Sequence, residues 1–578
     1  MNITKSFLLL IALLLSVLAS SAFDGLQIEK ARLSLEEKSE VYLSFEKQVL
    51  SEEFSKQISV DFIDNNKVYA YANERSFAYV LDNGIPFNVE KHPGEVDFDI
   101  KMMTWEDIAE NKEMLEWDFY PTYDAYVNMM YQFEEDFPGM CEIHNIGSTI
   151  MGRDILFARI SSDITADSTK PLFMYTSTIH GDETTGFVLM LRLIDYLLNN
   201  YNVNNEITDL LDGVEIWICP NENPDGTYTN NNSTVSGATR GNANGVDLNR
   251  NYPNPVNSPY DSEQPEVAAM IDFVNDKNFV MSANFHGGIE LVNFPFDSWE
   301  SIERKHADHN WFEFVSEEYA DTAQLYSPSN YMTSFGGTTH GGDWYVVYGS
   351  RQDYLNYYRS CREVTIEISN EKLLEPSLLP EHWDYNYRSF LNYIRQSTYG
   401  VHGVITDIDT GDPVPAKVTV LEHDKYNSEV YGSIESGYYA RPLLAGDYSL
   451  YIYGYGYDPV VIENLSISNY ETIWLDIELK AWPTSINDSS GEIFSAYVVS
   501  NPLAEDSKLV VAGLSQKEAV ISIYNMQGIL VSGLYNGIIS ENETEISLSH
   551  LANELNPGIY IINIAGDKAT KNIKILVL

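Results

Sequence analysis

The sequence predicts an α/β protein with a largely buried central sheet, followed by two small all-β domains. Two observations carry this. Across residues 105–398, apolar strand-like runs alternate with stretches of helical spacing. Beyond Gly400 the helical spacing stops, and short alternating runs separated by Gly and Pro turns take over. A length of 578 residues suits three or four domains rather than one.

The elements follow in chain order. Lys5 precedes the apolar run FLLLIALLLSVLAS, and Ser20-Ser21-Ala22 then supplies small residues. The run is too short to span a bilayer, so residues 1–22 read as a signal peptide cleaved after Ala22. No other uninterrupted apolar stretch of about 18 residues occurs, so the mature protein is expected to lack a transmembrane segment. Residues 23–104 form an N-terminal segment, a candidate pro-segment, in which ISVDF, IDNN and KVYAYA suggest a hairpin followed by a further strand-like run, FAYVLDNGIPF. In the 105–398 region, TYDAYVNMMYQFEEDF has helical spacing and PLFMYTSTI (171–179) is a buried strand. ETTGFVLMLRLIDYLLNN (183–200) is an amphipathic helix, VEIWIC (214–219) a strand, and PEVAAMIDFVND a helix opened by Pro265. FVMSANF (279–285) and EVTIEI (363–368) are further strands, and HWDYNYRSFLNYIRQ closes the region as a helix. Residues 399–481 read as a small β-sandwich, 482–492 as a polar linker and 493–578 as a second β domain.

Composition excludes some functions. With 35 basic and 85 acidic residues, the formal net charge of −50 disfavours nucleic acid and anionic membranes as partners. It favours cationic substrates weakly, and a solubilising surface of an exported protein accounts for it better. Only three cysteines occur, Cys141, Cys219 and Cys361, with no zinc-motif spacing. Cys219 and Cys361 lie in or beside apolar runs and read as buried thiols.

The chemistry-bearing residues cluster at strand ends. His180 follows strand 171–179, Glu183 comes three residues later, and His286 follows strand 279–285. In an open α/β sheet, ligands gather at the carboxyl ends of strands, so these three can meet across the sequence. Two imidazoles and a carboxylate form a catalytic zinc set that leaves a position for water. A lone HxxE is weak; the Asn-, Gly- and Arg-rich loops PNENPDGT (220–227) and TRGNANGVDLNRNYP (239–253) strengthen it.

Together, HGDE, NPDG, GNANGVDLNRNYP, SANFHGG and WYVVYGSRQDY…CREVTIEIS resemble the zinc metallocarboxypeptidases of the carboxypeptidase A superfamily, closest to the branch containing carboxypeptidases E, N, D and M. The resemblance covers roughly 120–397 and implies the metallocarboxypeptidase fold, a mixed central sheet flanked by helices. It implies one Zn2+ held by His180, Glu183 and His286, with Asp247 orienting the first histidine. Arg240 then polarises the scissile carbonyl and stabilises the oxyanion, and Glu367 acts as general base and acid towards zinc-activated water. Asn249, Arg250 and Tyr345 hold the substrate's C-terminal carboxylate, a task suited to a forked guanidinium. Asp297 matches the acid that selects C-terminal Lys or Arg, and Gln352 is the neutral partner on the pocket floor. Arg351, where the branch usually has Met, is a departure that could offset the charge of Asp297.

The flanks carry weaker resemblances. Within residues 399–481, GVITDIDTGDPVPAKVTV and GYYARPLLAGDYSLYIYGYGY resemble the transthyretin-like domain of the same branch. NPLAEDSKLVV, ISIYNMQGILV, LNPGIYIINI and KNIKILV resemble the C-terminal sorting domain of type IX secretion cargo in Bacteroidetes. This implies export through the periplasm to the cell surface or medium, with the outer-membrane secretion machinery as a partner. The expected function is a secreted carboxypeptidase acting on peptide or protein C-termini, with preference for Lys or Arg. The alternatives are a zinc amidase acting on peptidoglycan-type peptides and a non-catalytic surface binding protein.

Overall fold

The computed structural model describes residues 25–481 except 65, 112–113, 166–168 and 257–261, and residues 495–577 except 500–502, 504–506, 514–516, 526–529, 540–542, 552–554, 556–557 and 567–569. The expected signal peptide and the 482–492 linker lie outside the described residues. Two compact units fall within 1–480 and 481–578. No described helix is long and apolar enough to cross a membrane.

The first unit begins with a helix over 25–38 and a four-stranded antiparallel sheet. Its strands are β1 (Val41–Glu46), β2 (Ser59–Asp64), β3 (Lys67–Ala72) and β4 (Asn88–Val89), in the order β2-β3-β1-β4. The expected hairpin is the β2–β3 pair, closed by Asp64 opposite Lys67. The strand-like reading of FAYVLDNGIPF is corrected: Glu74–Asp82 is a helix, whose Asn73 cap accepts from the Ser76 amide. Phe77 and Val80, three residues apart, both turn inward, so helical spacing prevails over β-propensity here.

The central sheet has eight strands: β5 (Cys141–Ser148), β6 (Asp154–Ile160), β7 (Leu172–Ser177), β8 (Glu215–Cys219), β9 (Phe279–His286), β10 (Ile289–Phe294), β11 (Thr338–His340) and β12 (Arg362–Ser369). Their order is β11-β10-β12-β9-β7-β8-β6-β5. Strands β8, β7, β9 and β12 run parallel, whereas β10 and β6 pair antiparallel to their central neighbours, so the sheet is mixed. Every residue of β8, β9 and β12 is buried, as expected for strands covered on both faces. The helices Tyr123–Asp136, Thr185–Asn200 and Leu379–Gln396 contribute to one shared core with these strands.

Residues 400–480 form two small sheets around one apolar core that includes Val401, Val418 and Leu450. Asp308, beside the helix His309–Leu325, is buried between Arg362 and Arg441, and His423 and Asp424 complete this ion-pair cluster. The second unit also has two sheets, of three and four strands, around a core including Leu509, Ile521 and Ile562. The α/β region and the two all-β regions expected from sequence are thus the observed architecture.

Candidate metal centre and cleft

Parallel strands in register bring distant residues side by side. His286, the last residue of β9, lies opposite Glu367 of β12, so both side chains leave the same end of the sheet. His180 and Glu183 follow the neighbouring strand β7, and the helix after them starts at Thr185, two residues later than its sequence pattern suggested. Three glycine-bearing loops close on this corner. A Cβ on Gly181 would lie 2.3 Å from the backbone of Gly226, and one on Gly226 would lie 2.6 Å from the carbonyl oxygen of Gly241. Only glycine permits that approach, which explains the glycine of HGDE, that of NPDG and the first glycine of RGNANG.

The donor atoms converge. His180 Nδ1 and His286 Nδ1 are 3.0 Å apart, and Glu183 Oε2 lies 2.7 Å from the second and 3.0 Å from the first. All three residues are buried. The far nitrogen of His180 sits 3.1 Å from Asp247 Oδ1; a proton held there leaves the Nδ1 lone pair facing its two neighbours. Two imidazole lone pairs and a carboxylate oxygen aimed at one point repel unless a cation sits among them, so this set fits a zinc ion.

Around it lie the other expected residues. Glu367 is 8% exposed, and its Oε2 is buried without a hydrogen-bond partner. Burial, and next the Glu183 charge, push its carboxyl well above the usual range. Arg240 donates to Asp247 at 3.0 Å and to Glu183 Oε1 at 3.2 Å. Asn249 Oδ1 accepts from the Arg351 backbone at 2.9 Å, and Arg250 Nη1 donates to the Asn249 carbonyl at 2.9 Å. Burial raises the Tyr345 hydroxyl to about 12, against the opposing pull of Arg250 and Arg240. These side chains share a cleft of about 400 Å³ with the three converging residues.

Asp297 lies on a wall of the same cleft, 4% exposed. Its Oδ1 accepts from Gln352 Nε2 at 2.8 Å and Asn293 Nδ2 at 3.3 Å, and burial raises its pKa. A Cβ on Gly341 would meet that oxygen at 2.0 Å, so the glycine keeps the carboxylate accessible. Asp353 accepts from the Asp297 and Ser298 amides at 2.8 and 2.9 Å and fixes the loop. Arg351 does not offset Asp297. Its guanidinium is fully buried, 2.8 Å from Glu222 and 3.0 Å from Glu363, and it does not line the cleft.

Sequence reasoning missed four residues. Lys372 lies 2.7 Å from Glu183 Oε1 and 2.8 Å from Asp61, and Tyr71 donates to Asp182 at 2.7 Å. Asp61, Tyr71 and Tyr42 belong to the N-terminal sheet, which showed no chemistry in its own pattern. Lys372 follows the EVTIEIS strand by three residues and carried no motif signal beyond that position. All three cysteines are free and buried, as expected for Cys219 and Cys361.

Comparison with known proteins gives two matched families: zinc carboxypeptidase over residues 126–389 and secretion system C-terminal sorting domain over residues 501–578. Human carboxypeptidase D is 30% identical over 411 residues, which cover 68% of this chain and 29% of that protein. The chain therefore spans less than a third of that longer relative. Mouse carboxypeptidase M is 31% identical over 339 residues, covering 56% of this chain and 75% of that protein. Among solved structures, carboxypeptidase A from Helicoverpa armigera superposes with a TM-score of 0.46 at 15% identity, covering 62% of this chain and 97% of that one.

Proposed function

The chain belongs to the zinc carboxypeptidase family, and on that premise we propose that it hydrolyses the C-terminal residue of peptides or proteins, preferring Lys and Arg. One observation carries this reading: the three converging donors share a cleft with an unpartnered buried carboxyl, two guanidinium groups and Tyr345. His180, Glu183 and His286 would hold one zinc ion, which when bound would supply a Lewis acid that acidifies water and polarises a carbonyl oxygen. Glu367 takes a proton from the attacking water and passes it to the leaving amine, a task suited to a carboxyl with a raised pKa. Arg240 supplies positive charge where the oxyanion develops. Arg250, with Asn249 and Tyr345, grips the free carboxylate and confines cleavage to the chain end. Asp297 pairs with a basic side chain, while neutral Gln352 orients its carboxylate through the 2.8 Å hydrogen bond. The sorting domain directs export through the periplasm and engages the outer-membrane secretion machinery, leaving the enzyme secreted or at the cell surface.

The test uses zinc-loaded protein, intact and after limited proteolysis, on peptides ending in Arg, Lys, Leu and Glu. Release of single C-terminal residues, fastest for Arg and Lys, is expected. No release from any of the four sinks the reading.

A further inference from the structure

The Asp297 carboxylate is presented by a short loop, Pro295–Ser298, that leaves the end of β10. The backbone of this loop is tied down group by group. The Asp297 and Ser298 amides donate to Asp353. The Asp297 carbonyl accepts from the Val347 amide at 3.0 Å, and the Phe296 carbonyl from the Gly342 amide at 2.9 Å. The remaining donor, the Phe296 amide, donates to His340 Nε2 at 3.1 Å. His340 comes within reach because β10 and β11 pair in parallel, with Phe294 opposite His340. Phe296 and His340 are 0% and 4% exposed, so an amide deprived of the imidazole would be buried without a partner.

This contact also fixes the state of the ring. A ring nitrogen that accepts carries no proton, so His340 is neutral and bears its hydrogen on Nδ1. That second nitrogen is buried, 4.0 Å from Asp343 Oδ1 and without a hydrogen-bond partner. Burial holds the pKa of His340 down to about 4, while Asp343 raises it and Lys305 lowers it. The imidazole therefore remains an acceptor at neutral pH. His340 does not itself line the cleft, but the next residue, Gly341, does and lies against Asp297 Oδ1. The end of β11 thus meets the pocket acid twice, at its carboxylate through Gly341 and behind its loop through His340.

We propose that His340 is a positioning residue for substrate selection: by accepting from the Phe296 amide it seats the Pro295–Ser298 loop so that Asp297 faces the terminal basic side chain. The role rests on the preference for Lys and Arg proposed above. His340 touches neither substrate nor metal and acts only through the loop. Its loss should therefore weaken the grip on a basic side chain and spare the chemistry at the converging donors.

Zinc-loaded full-length wild type, His340→Leu and His340→Gln are compared by kcat and KM on matched peptides ending in Arg, Lys and Leu. Leucine fills much of the ring's space but accepts nothing, whereas glutamine is uncharged and can bring Oε1 to the place of Nε2. His340→Leu should raise KM for the Arg and Lys peptides by about tenfold or more, through a misplaced Asp297. For the Leu peptide, kcat and KM should stay within about twofold of wild type. His340→Gln should restore most of the Arg-to-Leu ratio. If His340→Leu does not fold, His340→Asn takes its place, because its shorter side chain withdraws the acceptor from the amide. An equal loss on all three peptides, an undiminished Arg-to-Leu ratio in His340→Leu, or a glutamine variant no better than the leucine one overturns the positioning role. A wild type with no preference for Arg or Lys overturns the pocket reading and the role of His340 with it.

Discussion

Asp297→Asn isolates charge from shape in the cleft. Asparagine keeps an oxygen to accept from Gln352 Nε2, now 2.8 Å from Asp297, so the local hydrogen bonding survives. A cationic side chain entering the cleft loses its counter-charge in a buried setting, where removing one partner of such a pair costs about 2–5 kcal/mol. Burial raises the pKa of Asp297, so its anion is held less firmly than that of an exposed carboxylate. The lower end therefore applies, about 2–3 kcal/mol, or roughly a 30- to 150-fold fall in kcat/KM for Arg and Lys peptides. Matched peptides ending in Leu should change little. The pH dependence has a definite sign. An acid with a raised pKa is neutral at low pH and becomes anionic only as pH rises through that pKa, so the wild-type Arg-to-Leu rate ratio should climb with pH. In Asp297→Asn the ratio should be flat. The assay is kcat/KM for the three peptides from mildly acid to mildly alkaline pH. An equal loss on Leu peptides, or a flat wild-type ratio, refutes the reasoning.

Three further outcomes are expected. Glu367→Gln should lower kcat by about 10²–10⁴-fold with zinc content unchanged by metal analysis; near-normal turnover would remove Glu367 from the proton transfer. His286→Ala should bind zinc substoichiometrically and lose the rise in Tm that zinc confers on wild type. At a thousand times its Kd that rise reflects about 4 kcal/mol, and equal stabilisation of both proteins would count against the donor set. Asp308→Asn removes the anion between Arg362 and Arg441 and should destabilise the first unit by about 3–5 kcal/mol in denaturant unfolding; an unchanged midpoint would show the cluster to be dispensable.

Much of the central region was legible because local pattern and tertiary role agree there. Leu172–Ser177 and Phe279–His286 are largely apolar runs and Arg362–Ser369 an alternating, β-branched one, all of strand length, and they became the buried centre of the sheet. His180, Glu183 and His286 could be picked out because strand ends gather ligands, and their donor atoms do meet within 3.0 Å. The FAYVL run misled because Phe, Tyr and Val favour strands locally, whereas the Asn73 cap and the inward-facing pair Phe77 and Val80 stabilise a helix. Arg351 could be read only as a charge near Asp297, since sequence position does not say on which side of a helix start a long side chain turns.

His180, Glu183 and His286 were determined by the sequence itself as a candidate ligand set, because their chemistry and their places after strand ends are local properties, whereas Glu367 entered through the family resemblance. The tertiary structure alone decided what surrounds them. It buried Arg351 between Glu222 and Glu363, away from Asp297, and it brought Lys372 to Glu183. It also laid Ser59, Val60 and Asp61 against Arg240 and Arg250, residues some 180–190 positions away in the chain. Such contacts leave no periodicity or spacing in either partner, because they depend on the relative placement of two sheets distant in the chain.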